Sequence, residues 1–198
     1  MTPNQKAIQA ILNLASASEV VAGKTWYVTA RDIANELAHR YEINEACVTG
    51  VIAALSPRNK WDRNILDAEN LIAAFVSGGL EAAKEVKVCT FGKNKDKALT
   101  ILNGCLATDE DVLAVLSGPK LSEFYSCIRG LDDVCIDGHA YSIWFGERIA
   151  LKDVPSIGKK IRQQIKKDYL AVAEANGLTG FEVQAITWVA HRRIHGVN

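Results

Sequence analysis

Apolar residues recur every three to four positions along most of the chain, which is the spacing of amphipathic α-helices. Two stripes show this most clearly: Val48, Val51, Ile52 and Leu55, and then Ile65, Ala68, Leu71, Ile72 and Phe75. No long segment alternates apolar and polar residues with the period of two that is typical of a half-buried strand. The pattern therefore predicts an all-α protein.

Helix boundaries are predicted from capping residues and helix breakers. Thr2 and Gln5 have the spacing of a capping box, so the first helix is expected to begin at Thr2. We expect a loop around Gly23 and Lys24, followed by a second helix that Thr29 caps. Further helices are predicted from Asn44 to Leu55, Lys60 to Val76, Leu80 to Val86, Asn94 to Cys105, Asp109 to Leu116 with Thr108 as its cap, Lys120 to Arg129, Gly138 to about Leu151, and Ile157 to Ala175, with Thr179 capping the last.

The most distinctive turn is Ser117-Gly118-Pro119, because glycine supplies an unusual backbone angle and proline presets the first turn of a helix. Lys120 then stands at the start of one helix and Asp137 at the start of the next. Helix N-termini carry partial positive charge and unpaired N–H groups, so a site beside them favours anions such as phosphate. Lys120 and Asp137 are therefore candidate active-site residues.

This region resembles the helix-hairpin-helix DNA glycosylase superfamily, which has the endonuclease III-like fold. The family core reads roughly Leu-Pro-Gly-Val-Gly-x-Lys-x-Ala, then a helix, then Val-Asp-x-His. Leu116, Gly118 and Lys120 match the hairpin, and Ile136-Asp137-Gly138-His139 matches the second element. Three more segments match in order: Leu55-Ser56-Pro57-Arg58 is similar to the family's Leu-Ser-x-Gln turn, Phe91 to Ala98 to its Gly-Leu-x-x-x-Lys-Ala segment, and Phe181 to Gly196 to its closing helix.

The resemblance implies one helical domain over residues 1–198, two-lobed, with a helix-hairpin-helix element and a central cleft. One lobe would contain residues 1–45 and 150–198, and the other residues 46–149. It also implies a DNA base-excision glycosylase that acts on a damaged or modified base flipped out of DNA. Lys120 as nucleophile would add AP-lyase activity, and otherwise Asp137 would activate a water molecule.

The resemblance also implies which residues bind DNA: Arg58, Asn59, Lys60, Trp61, Ser117, Gly118 and His139. The chain departs from the family pattern in the hairpin, which is shorter and lacks the second glycine, and in Arg58, which stands where the family often has Gln. Simpler roles remain open for three of these positions. Asp137 fits a helix N-cap, Lys120 a phosphate contact and Trp61 a core side chain.

The formal net charge is zero and the sequence pI is about 6.9, so no global field draws this chain onto nucleic acid. Any DNA contact must use local basic clusters. One cluster lies around Arg58 and Arg63, and a second contains His191, Arg192 and Arg193. A third set recurs at helical spacing and fits either a solvated face or a phosphate-binding stripe: Lys159, Lys160, Arg162, Lys166 and Lys167.

The five cysteines are scattered, without metal-type spacing and without the family's usual iron–sulfur loop. We therefore expect no metal and no cofactor. An odd number of scattered cysteines favours a reducing cytoplasm over a disulfide framework. No signal-peptide pattern and no apolar segment of membrane-spanning length is recognised. We expect a cytoplasmic monomer with DNA as its partner and no membrane association.

Two other functions remain open. The shortened hairpin favours an enzyme of the same fold that acts on a hypermodified base or on a nucleotide. The zero net charge favours a non-catalytic DNA-binding or protein-binding module. The presence of Lys120 and Asp137 in register argues against the second alternative, because a binding module needs neither residue.

Overall fold

The computed structural model describes residues 1–196, which form ten α-helices and no strand. The prediction of an all-α protein is confirmed. The helices are α1 (Pro3–Asn13), α2 (Ala17–Tyr41), α3 (Glu45–Leu55), α4 (Trp61–Glu85), α5 (Gly92–Asn103), α6 (Asp109–Leu116), α7 (Pro119–Arg129), α8 (Gly138–Phe145), α9 (Lys159–Asn176) and α10 (Gly180–His195).

The chain divides into two compact units. The middle unit is Ala30–Arg129, and the terminal unit combines Met1–Thr29 with the chain from Gly130 onward. Both boundaries fall earlier than the 45/46 and 149/150 positions that the family resemblance implies. The segment before α8 explains the second boundary, because Val134 and Ile136 are fully buried in the core of the terminal unit.

Local capping signals placed several helix starts correctly. Thr2 and Thr179 both form complete capping boxes, and the side chains of Asn44 and Thr108 each accept a backbone N–H of the helix that follows. Each such bond satisfies an N–H that the helix itself leaves unpaired, and it contributes about 1 kcal/mol.

The predicted loop at Gly23 and Lys24 and the predicted cap at Thr29 are wrong, because α2 runs without interruption from Ala17 to Tyr41. Gly23 lies where α2 meets α10. A Cβ atom on residue 23 would lie 2.5 Å from the Cα of Ile186. This glycine therefore allows two helices to pack closely and does not form a loop.

One predicted helix break is confirmed, and one helix end differs from the prediction. The helices predicted from Lys60 to Val76 and from Leu80 to Val86 are the two parts of α4, which Gly79 interrupts with φ 71° and ψ −164° before a further helical segment continues to Glu85. Helix α8 ends at Phe145 rather than near Leu151, because Gly146 adopts the left-handed conformation with φ 86° and closes the helix.

Each unit has its own core. In the terminal unit, α1, α8, α9 and α10 pack around buried side chains that include Ile8 and Tyr169. In the middle unit, every residue from Ala46 to Leu55 is buried, so α3 is the central helix, and it contacts α4, α5, α6 and α7. Burial on all sides explains why α3 consists almost entirely of apolar and small residues.

Candidate functional site

Asp137 is the N-cap of α8, and its Oδ1 accepts the N–H of Ala140 at 2.9 Å. The N-cap interpretation of this residue is therefore confirmed. The side chain is only half-buried, and within residues 1–196 its second oxygen, Oδ2, accepts no hydrogen bond. One carboxylate oxygen thus holds the helix start while the other remains available at the positive end of the helix.

An aromatic and cationic cluster surrounds the first turn of α8. The ring of His139 lies 6.4 Å from the ring of Trp188 and 5.6 Å from that of His191, both on α10. The guanidinium carbon of Arg192 lies 4.4 Å from the centroid of the Trp188 ring. The fold therefore places His191 and Arg192 of the C-terminal basic cluster, which lie on α10, beside the helix that Asp137 caps. It also pairs Arg192 with the indole of Trp188, which the sequence did not indicate.

His191 is buried within this cluster, with 4% of its surface exposed. Burial lowers the pKa of its ring to about 4; the nearby groups of His195, His139 and Arg148 act in the same direction, and Asp137 opposes them. Its Nδ1 is buried and makes no hydrogen bond within the described chain. At neutral pH the ring is therefore neutral, with one nitrogen unsatisfied.

We expect His191 to make the protein sensitive to mild acid. Below pH 6.5 the unfolded chain binds a proton on this ring, whereas the folded protein does so only near pH 4. The free energy of unfolding should therefore fall by about 2–3 kcal/mol between pH 7 and pH 4.5. Denaturant unfolding at both pH values tests this, with His191→Gln as the non-titrating variant. Equal acid-induced losses in both proteins would contradict it.

Lys120 lies in the middle unit, exposed at the second position of α7. The turn before it differs from the prediction, because Ser117 rather than Gly118 adopts the left-handed conformation, with φ 43°. The reason is positional: α6 ends at Leu116, so the residue that closes the helix is Ser117. The Nζ of Lys97 donates to the Leu116 carbonyl and to Ser117 Oγ, which supports this strained turn.

The loop of predicted DNA contacts, residues 58–61, is anchored by a buried carboxylate. Asp67 is fully buried and accepts hydrogen bonds from Arg63 Nε at 2.7 Å, Asn59 Nδ2 at 3.0 Å and the backbone N–H of Cys89 at 2.7 Å. Arg58, next to this anchor, is exposed and has a left-handed φ of 58°. The side-chain N–H groups of Asn59 thus support the loop, while Arg58 projects from it.

Phe91 is the exposed aromatic residue of this face, with 44% of its surface exposed. The guanidinium carbon of Arg58 lies 5.1 Å from its ring centroid, and Lys93 Nζ lies 6.0 Å from it. We call Arg58, Phe91 and Lys93 the cationic aromatic face. Phe91 lies within a segment similar to the glycosylase family, but its partner Arg58 lies too far away in sequence for any local pattern to pair the two residues.

Trp61 lies at the end of the 58–61 loop, as the first residue of α4. Its ring packs edge-to-face on Phe124, with centroids 6.4 Å apart, and the side chain is half-buried. Lys60 is exposed at the N-cap of α4 and makes no side-chain capping bond there. Among the predicted DNA contacts of this loop, Arg58 and Lys60 are therefore the exposed cations.

The model of a family of unknown function, DUF7178, matches residues 1–195. The chain belongs to the DUF7178 family. No curated protein and no solved structure matches it. The function of this DUF7178 member must therefore be inferred from its own residues.

The basic stripe on α9 has two parts. Arg162 donates to the carbonyl of Ile136 at 3.0 Å, and Lys166 pairs with Asp133 at 2.5 Å, so both hold the segment that leads to Asp137. The other three members are exposed and form no ion pair within residues 1–196: Lys159, Lys160 and Lys167. The stripe thus combines structural support with an exposed basic surface.

Within residues 1–196, no group of three or more His, Cys, Asp and Glu side chains has an arrangement that could hold a metal ion. None of the five cysteines forms a disulfide within residues 1–196, and three of them are buried. None of the helices described above combines the length and apolar character that a membrane span requires.

Proposed function

We propose that this protein is a DNA N-glycosylase that releases a damaged or modified base flipped out of the duplex. The observation that carries the proposal is the available Oδ2 of Asp137 at the N-terminus of α8, beside the ring of His139 and the Trp188–Arg192 pair. The likeness of residues 116–139 to the helix-hairpin-helix glycosylases supports the same reaction.

Asp137 would act on the sugar of the flipped nucleotide. As the bond between C1′ and the base breaks, the base leaves with the electron pair and positive charge develops on the sugar. A carboxylate oxygen near C1′ stabilises that charge, and it can also take a proton from the water that attacks C1′. The Ala140 N–H bond to Oδ1 holds the carboxylate in place, so Oδ2 is preorganised for this role.

The Trp188–Arg192 pair suits a nucleobase. Stacking on an aromatic ring contributes about 1–3 kcal/mol per base and accepts any base, while a guanidinium adds attraction for the phosphates that flank it. Arg192 is held over the indole, so the two side chains present a partly ordered surface. This feature favours a nucleotide substrate over a purely protein partner.

The cationic aromatic face would provide a second contact with DNA. Arg58 and Lys93 carry the charge that phosphates require, and Phe91 supplies an exposed ring. Because the whole chain has no net charge, such local clusters must account for its DNA affinity. The left-handed backbone of Arg58 is a strained conformation of the kind that proteins retain at functional sites.

We expect Phe91→Ala to weaken binding to a duplex with an unpaired base by roughly 5- to 100-fold, which corresponds to one lost stacking contact. Phe91→Trp keeps an aromatic ring and should bind the duplex with nearly wild-type affinity. Fluorescence anisotropy at fixed salt measures the affinity. The control is Val76→Ala, which removes a similarly exposed apolar side chain from α4. Equal affinities of wild type and Phe91→Ala would exclude the ring from DNA binding.

Lys120 would determine whether the enzyme also cleaves the strand. Its amine would attack C1′, expel the base and form a Schiff base with the opened sugar, which borohydride reduces to a stable adduct. Trapping should use duplexes with abasic sites, oxidised purines, oxidised pyrimidines and uracil. A Lys120-dependent adduct would establish the lyase route, and the duplex on which it forms would identify the substrate class.

Base release without an adduct would assign the reaction to Asp137 and water. The absence of both on every duplex of the panel would contradict the proposed function for these bases. Binding of the same duplexes, measured in parallel, would then favour a non-catalytic DNA-binding module.

A further inference from the structure

Three helices of the terminal unit, α1, α8 and α10, line a cavity of about 240 Å³. Alanine and isoleucine side chains of these helices form its apolar wall, including Ala7 on α1 and Ile143 on α8. The volume is somewhat below the ~300–1,000 Å³ of common ligand pockets, so it suits a small molecule. The remaining lining is polar and is concentrated on α10 and just after α8.

Among the polar residues of this lining, His191 gives the strongest indication of a ligand. Its side chain is more than nine-tenths buried, and its Nδ1 has no hydrogen-bond partner within residues 1–196. A buried polar atom without a partner costs about 1–3 kcal/mol, so a ligand that bonded to it would recover that energy. Ser142, by contrast, already donates to the carbonyls of Gly138 and Ile149.

The charge around the cavity favours an anion. Arg148 lines it, is exposed, and forms no ion pair within the described chain. His195 also lines it, with its ring 4.4 Å from that of His191. Glu147 is the one carboxylate of the lining and lies exposed beside Arg148. A guanidinium is suited to bidentate binding of a planar carboxylate.

We propose that this cavity binds a small organic carboxylate, with the carboxylate held by Arg148 and His191 and the hydrocarbon body against the apolar wall of α1 and α8. A neutral imidazole carries one N–H, which Nδ1 of His191 can donate to the carboxylate. The apolar wall excludes strongly hydrated anions such as inorganic phosphate, because it offers them no hydrogen bonds.

The lining of the cavity does not include Asp137, although His191 adjoins both the cavity and the cluster around His139. The cavity is lined by Ser142, Ile143 and Gly146 in the second half of α8, whereas Asp137 caps the first turn of that helix. The inference therefore stands or falls independently of base release.

Benzoate is a suitable probe, because it combines a carboxylate with a compact apolar body, and benzamide is its neutral isostere. The full-length protein would be titrated at pH 7 while the histidine-ring resonances are followed by NMR. We expect saturable shifts of the His191 and His195 rings with benzoate. Binding of benzamide, and of benzoate to Arg148→Gln, should be about tenfold weaker, since each lacks one partner of the charged pair.

Ala7→Leu tests the location, because it fills the cavity from α1 and leaves the charged groups intact. It should abolish benzoate binding while base release on any active substrate is unchanged. If this variant does not fold, Arg148→Gln still decides, because that residue is exposed. No saturation of the folded wild type by about 20 mM benzoate, equal binding of benzamide, or undiminished binding by folded Ala7→Leu would each overturn the proposal.

Discussion

Asp137→Asn should reduce base release by about 10²- to 10³-fold while folding and DNA affinity stay close to wild type. The reason lies in the two roles of the side chain. Oδ1 caps α8 through the Ala140 N–H, and asparagine is as good an N-cap as aspartate. The substitution therefore keeps the helix start and removes only the negative charge that the reaction needs.

The test is single-turnover base release on whichever duplex of the substrate panel is active, with anisotropy to measure binding. Asp153→Asn is the matched control, because it removes an exposed carboxylate of the same unit that caps no helix. We expect the control to retain release within a few-fold. Undiminished release by Asp137→Asn would overturn the role of Asp137, whatever happens to binding.

Gly23→Val should lower the free energy of unfolding by about 3 kcal/mol, at the upper end of overpacking effects. A Cβ atom at this position would lie 2.5 Å from the Cα and 2.6 Å from the backbone nitrogen of Ile186. Backbone atoms cannot rotate away as a side chain can, so α2 and α10 would have to separate. Their separation would also disturb the hydrogen bond from Tyr27 to Gln184, which is 2.9 Å long.

Gly92→Val is the control, because residue 92 lies at the start of α5 and a Cβ atom there meets nothing within 4 Å. Its stability should change by less than about 0.5 kcal/mol. Urea unfolding followed by circular dichroism measures both variants. If Gly23→Val and Gly92→Val lower the free energy of unfolding equally, the close contact of α2 with α10 is not the cause of the loss.

Local signals in the sequence predicted several helix boundaries at which one side chain completes the structure by itself. The caps at Thr2, Asn44, Thr108 and Thr179 are of this kind, since each bond joins residues two or three positions apart. The predicted loop at Gly23 was wrong because glycine can either form a turn or allow two helices to pack closely. Only the position of α10 shows which of the two applies.

In the candidate site, too, some features follow from neighbouring residues and others depend on residues far apart in sequence. Asp137 could be recognised as a helix cap, and as a possible catalytic carboxylate by resemblance, from the residues beside it. Its proximity to the cluster on α10 could not be predicted, because Trp188 and Arg192 come some fifty residues later in the chain. The Arg58–Phe91 pair is equally long-range.

The sequence alone thus determined the helical class and most helix starts, because periodicity and capping act within one or two turns of the chain. The tertiary structure decided which faces meet. It placed His191 in a buried position with an unsatisfied nitrogen, formed a cavity beside it, and brought Gly23 of α2 against Ile186 of α10. Such features depend on packing between residues far apart in sequence, which no local pattern records.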